Sequence, residues 1–169
     1  MKNIKISRLF AAALFVAAFT FFGCAQNEEE TSTKYIYVLP IDADDALIGD
    51  WVDDTACHYE ISQTAFDNHG SWGDSYAGNN LVVQKFSETS GTIFIKYTRA
   101  MNPDFSYTNT APDVGNWYAI SYKDLTDSSI QIAGAYKENG KSSCATLKEA
   151  VKEFTKGHGY FDTYSTCTK

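Results

Sequence analysis

Beyond Leu47 the apolar and polar residues of this chain alternate with a period of two, in short runs. In Gly91–Arg99, Ile93, Ile95 and Tyr97 fall on one side, and Thr92, Phe94, Lys96 and Thr98 on the other. In Trp117–Lys123 the two sides are Trp117, Ala119, Ser121 and Tyr118, Ile120, Tyr122. Successive side chains of a strand point to opposite faces, so this period predicts strands. The candidates are Leu47–Val52, His58–Ser62, Thr64–Asn68, Leu81–Phe86, Thr92–Arg99, Trp117–Leu125 and Ser129–Tyr136. Between them stand Asp53-Asp54, Asn68-His69-Gly70, Gly78-Asn79-Asn80, Ser90-Gly91 and Thr126-Asp127-Ser128. Gly and Asn accept positive φ, and Asp and Ser bond back to their own backbone, so each break reads as a turn. Short turns between period-two segments predict an antiparallel meander.

The period changes once. Leu147, Ala150, Val151 and Phe154 form one helical stripe, Thr146 and Glu149 form a capping box, and Gly157 and Gly159 stop the helix. Tyr160–Thr168 follows as a last strand, and Ala100–Asn116 is the long connection. A meander must hide its apolar face and its edges. Closing it into a barrel of about eight strands, with the C-terminal helix outside and before the last strand, does both. The alternative is an open sandwich or rolled sheet.

The N-terminal pattern is different. Lys2, Lys5 and Arg8 precede the apolar run Leu9–Phe22, and Gly23-Cys24 and Gln26-Asn27-Glu28-Glu29-Glu30 follow it. As a helix this run reaches about 21 Å, short of a hydrocarbon core of about 30 Å, so it reads as a signal h-region. Phe21-Phe22-Gly23-Cys24 resembles the lipobox of bacterial lipoproteins, with Phe21 and Phe22 where an aliphatic and a small residue are usual. That resemblance implies diacylglycerol and fatty acyl chains such as palmitate on Cys24, the new N-terminus. The other reading is an ordinary signal peptide with a chance cysteine. The expected organisation is a signal peptide over 1–23, a lipid-anchored tether over 24–46 and a barrel over 47–169. Within the tether, Tyr35–Ile41 is apolar enough to lie along the domain as an edge segment, ended by Pro40. Asp42-Ala43-Asp44-Asp45 lacks the spacing of a calcium loop and reads as a solvated acidic turn. If diderm sorting applies, Ala25-Gln26 lacks an inner-membrane retention Asp, which points to the outer membrane.

Charge and cysteine content narrow the partners. The net charge of −7 becomes −10 when Lys2, Lys5 and Arg8 are removed. So acidic a body argues against nucleic acid and against an electrostatic hold on anionic lipid. With Cys24 acylated, Cys57, Cys144 and Cys167 remain. A Cys144–Cys167 disulfide would bracket the last helix and strand, and Cys57 with either of the others is the rival pairing. The dispersed His58, His69 and His158 give no metal spacing.

Gly49-Asp50-Trp51 on the first strand resembles the G-x-W signature of lipocalins, and a helix before a closing strand is similar to the lipocalin order. The resemblance implies a calycin-type barrel in which Trp51 closes one end. No Arg follows the helix to stack on that Trp; the closing segment has Lys156 and Lys169.

No catalytic set emerges. G-x-S-x-G is absent, and Cys57 and His58, as strand neighbours, point to opposite faces. The aromatic supply is the main binding feature, with Trp72 and Tyr76 in one Gly/Ser/Asn-rich connection and Phe105 and Tyr107 in another. These four are the candidate ligand-binding residues. The expected function is a non-catalytic, cofactor-free, lipid-anchored barrel holding a small apolar ligand. The alternative is a surface interaction module, such as an adhesin or protease inhibitor, using the same loops.

Overall fold

The computed structural model describes residues 37–71 and 73–169. Its elements are β1 (Gly49–Asp53), β2 (Cys57–Ile61), β3 (Ala65–Gly70), β4 (Gly73–Ser87), β5 (Ser90–Met101), β6 (Tyr107–Thr108), β7 (Trp117–Lys123), β8 (Ser129–Gly134), α1 (Leu147–Glu153) and β9 (Ser165–Thr168). Every pairing is antiparallel. The circuit β1-β2-β3-β4-β5-β7-β8-β9 returns to β1 and closes an eight-stranded barrel, while β6 pairs only with β5. The chain is thus mainly β, with a helix before the last strand, as the period-two pattern predicts.

Register fixes which side chains enter the barrel. Trp51 lies opposite Tyr59, Ile61 opposite Phe66, Ile95 opposite Tyr118 and Ile93 opposite Ile120. Tyr122 lies opposite Ile132, and Ile130 opposite Cys167. This face forms the interior, and the buried Trp51, Phe66, Tyr122 and Ile93 fill it. Eight strands enclose just enough room for side chains to do so. The outer face over β1–β3 is polar, with Asp50, Glu60, Asp67, His58 and His69. Over β5 and β7 it is buried as well, at Phe94, Ala119 and Ser121. There α1 packs against both strands, and Tyr164 reaches the Ser121 hydroxyl at 2.8 Å.

A local signal holds the start of the helix. Thr146 Oγ1 accepts from the Glu149 amide and Glu149 accepts from the Thr146 amide, both at 3.2 Å. Gly157 and Gly159 do not stop α1, which ends at Glu153 with Phe154 as its C-cap; Gly159, at a left-handed φ of 77, ends the short 3-10 turn Lys156–His158 that follows. Trp51 is fully buried, and its Nε1 donates to the Leu47 carbonyl at 2.8 Å. Lys169 places Nζ 4.4 Å from the centre of the Trp51 ring and donates to the Ala46 carbonyl.

Several elements differ from expectation. β4 begins at Gly73, so the stretch read as a loop is half of the longest strand. Its partners supply the ladder that local propensity does not, and its glycine is needed where Gly78 packs: a Cβ there would lie 2.8 Å from Ile95 and from the Lys96 carbonyl. The last strand covers only Ser165–Thr168, since Tyr160–Tyr164 forms an extended cover instead. Leu39 pairs with Val83, so residues 37–41 do run along an edge. Asp45 is drawn into an ion pair with Lys85 rather than left in solvent.

The Cys144–Cys167 bridge does not form; Cys57, Cys144 and Cys167 are all thiols. Cys144 stands opposite Trp117 at the start of β7. Cys167 stands opposite Ile130, one step past the Lys123–Gln131 pair at the other end of that strand. At about 3.3 Å per residue they are roughly 20 Å apart, far beyond the reach of a disulfide. Cys144 and Cys167 are buried and Cys57 half-buried. Alkylation mapped by mass spectrometry should therefore modify Cys57 first and the other two only in denaturant. A Cys144–Cys167 crosslink in non-reduced peptide maps would contradict this arrangement.

Candidate functional site

The barrel interior is packed unevenly. Trp51, Phe66, Ile93, Ile120, Ile130 and Ile132 are at most 2% exposed. Towards the β1–β2 and β3–β4 turns, the inward residues Asp53, Cys57, Tyr59, Gly70, Tyr76, Gly134 and Ser165 are only half-buried. Phe154 of the segment after α1 meets Tyr118 edge-on at 6.0 Å and closes the β5–β7 side of this end. The inward residues beside β1–β4 and β8–β9 are thus the less covered ones, and this end of the barrel is the candidate cup.

Aromatic rings form much of its wall. Tyr76 stacks on Phe66 at 5.6 Å and meets Tyr118 and Tyr97 edge-on at 5.1 and 6.5 Å. Tyr97 stacks on Tyr118 at 4.8 Å, and Tyr59 meets Phe66 edge-on. A Cβ on Gly134 would come 2.6 Å from the Tyr118 hydroxyl and 3.1 Å from that of Tyr76, so the glycine leaves those hydroxyls their space.

The polar groups have definite partners. Asp53 Oδ1 accepts from the Thr55 amide and hydroxyl and from the Cys57 amide, at 2.7–3.0 Å, fixing the β1–β2 turn. Its Oδ2 accepts from the Tyr59 hydroxyl at 3.4 Å, and the Ser165 hydroxyl also bonds to this carboxylate. Tyr59 also reaches Ser165 Oγ, and Asn68 Nδ2 donates to Cys57 Sγ at 3.0 Å. Burial would raise the Asp53 carboxyl, but the bonds from Thr55 and Cys57 outweigh it and hold it below the usual range. Burial drives the Tyr59, Tyr76, Tyr97 and Tyr118 phenols upward; neighbouring phenols add to this for Tyr76, Tyr97 and Tyr118, and Cys57 and Asp53 add to it for Tyr59. Burial, with Asp53 and Cys57 beside it, pushes the Cys167 thiol up to about 12. At neutral pH the cup therefore holds neutral phenols and one carboxylate.

Of the four candidate residues, Tyr76 lies inside the barrel on β4 and not on a loop. Tyr107, on β6, is half-buried near Tyr76, Tyr97 and Tyr118. Phe105 is set apart: it occupies the β5–β6 turn at φ 66 and is 78% exposed. Trp72 and the lipidation candidate Cys24 lie outside the described residues. Asp53, Tyr59, Gly134 and Ser165 are absent from the sequence-based selection. Residue parity was the available signal, since Asp53 shares a face with Trp51 and Tyr59 with Ile61. Cys57 and His58 do diverge, one towards Asn68 and the other towards Asp50.

A second concavity, of about 510 Å³, lies on the outer face between Asp50, Glu60, Asp67 and Ala77. Beside it His58 and His69 stack at 5.0 Å. His58 pairs with Asp50, and Arg99 with Asp67 and Asp74. Among the described residues no three His, Cys, Asp or Glu side chains converge on a metal position. Comparison with family models, curated proteins and solved structures finds no match to this chain.

Proposed function

We propose that this chain is a non-catalytic, lipid-anchored envelope protein of lipocalin-like design, holding a small ligand with an apolar body in the open half of its barrel. The observation that carries this reading is the exposure gradient of the inward-facing residues. A barrel built only for stability would be packed at both ends, whereas this one leaves tyrosine faces and a carboxylate within reach of solvent. Lys169 over Trp51 supplies the cation that the lipocalin resemblance expects from an Arg, and so supports that part of the reading. The Cys24 anchor rests on the sequence resemblance.

Titration of the purified protein with the neutral fluorophore aminoanthracene tests the cup. Saturable binding is expected, weakened about tenfold by Gly134→Val, whose side chain would collide with the Tyr118 and Tyr76 hydroxyls and push those rings out of place. Circular dichroism checks that the variant stays folded. Absence of saturable binding by the wild type overturns the reading. Phe105 favours a second one. A strained, exposed aromatic, held by Phe105 N–H to the Asn102 carbonyl at 2.9 Å, suits a protein contact. Under that reading Phe105→Ala abolishes partner capture from envelope extracts; under the first it leaves fluorophore binding unchanged.

A further inference from the structure

The charge inside the cup narrows the ligand, and this step rests on the binding-barrel reading above. We propose that the cup takes a small organic cation, an amine or quaternary ammonium, with Asp53 as its counter-charge and the Tyr59 and Tyr76 rings as its walls. Among the described residues lining the open half, Asp53 alone is ionised. Burial holds the Tyr59 and Tyr76 phenols neutral, and Gly70, Gly134 and Ser165 carry no ionisable side chain.

Asp53 is half-buried, and its partners are all uncharged: the Thr55 amide and hydroxyl, the Cys57 amide, and the Tyr59 and Ser165 hydroxyls. Its two oxygens are unequally served. Oδ1 has three donors within 3.0 Å, whereas the Tyr59 hydroxyl stands off Oδ2 at 3.4 Å; with the Ser165 hydroxyl also on the carboxylate, every partner is neutral and none supplies a counter-charge. A partly desolvated carboxylate of this kind gains most from a cation. Tyrosine faces add to the selection, because the π-face of the ring attracts positive charge and welcomes the methyl groups around a quaternary nitrogen. A ligand carboxylate would meet the opposite conditions, repelled by Asp53 with no facing Lys or Arg among these lining residues. The chain's net charge of −7 also favours the approach of cations.

Choline and its neutral isostere, in which a quaternary carbon replaces the nitrogen, separate charge from shape in a calorimetric titration of the full chain in detergent. Choline should bind about tenfold more tightly than the isostere. Asp53→Asn keeps an acceptor oxygen for Thr55 and Cys57, and should remove that preference while leaving isostere binding within about twofold. Tyr76→Leu keeps apolar bulk but removes the ring, and should weaken choline more than the isostere. It serves as the test if Asp53→Asn fails to fold. Equal binding of the two probes, or a preference that survives both variants, overturns the cation inference and leaves the cup standing. The inference also falls if aminoanthracene binds while choline does not. If aminoanthracene fails as well, the binding-barrel reading itself falls.

Discussion

Trp51→Ala should remove about 3–5 kcal/mol of folding stability, the range for deleting a large buried aromatic. The Trp51 side chain is fully buried on β1, and its indole N–H is bonded to the Leu47 carbonyl. Removing it leaves a cavity in the barrel core and strips a buried carbonyl of its donor, and the two costs add. Leu47 is also fully buried, so the segment leading into β1 loses its attachment at the same time. Domains of this size have about 5–15 kcal/mol in total, so the loss would take a large share. Urea unfolding should show a lower midpoint with an unchanged slope. Lys169→Met is the graded control. It removes the cation over the ring but keeps apolar cover, and should cost about 1 kcal/mol or less. A Trp51→Ala loss no larger than that of Lys169→Met would refute a central role for this residue.

The parts of this fold legible in the sequence are those decided by neighbours along the chain. Alternation in Thr92–Arg99 and Trp117–Lys123 placed β5 and β7, and Thr146 with Glu149 placed the start of α1. The less legible parts depend on contacts across the barrel. Gly73–Asn80 has the composition of a loop yet is strand, because β3 and β5 pair with it from both sides. Tyr76 consequently enters the interior instead of marking a rim. Tyr160–Tyr164 alternates like a strand but leaves the ladder. Tyr160 turns its hydroxyl to Glu153 and Tyr164 to Ser121, so these aromatics cover the outside of the barrel. The thiols show the same limit. Bracketing a helix and a strand says which cysteines are close along the chain, and barrel register decided that Cys144 and Cys167 lie at opposite ends of β7.

Cys24→Ala should move the protein from the detergent phase to the aqueous phase in a phase-separation assay and abolish its labelling by a fatty-acid analogue. A single acyl chain holds a protein to a bilayer with about 5–6 kcal/mol, which is reversible; two chains on one cysteine make the attachment lasting. Removing the acceptor sulfur removes all of it. The described domain offers little to replace it. Its outer face over β1–β3 carries Asp50, Glu60, Asp67, His58 and His69 where a lipid-facing barrel wall would present an apolar band. Among the described residues no helix is long and apolar enough to cross a membrane. The acidic net charge also denies it an electrostatic hold on anionic lipid. A substituted chain whose signal is not cleaved keeps Leu9–Phe22, and its larger mass distinguishes that product from the released one. Mature-length protein that still enters the detergent phase without the label would refute the lipoprotein reading, and the barrel would then need another route to the membrane.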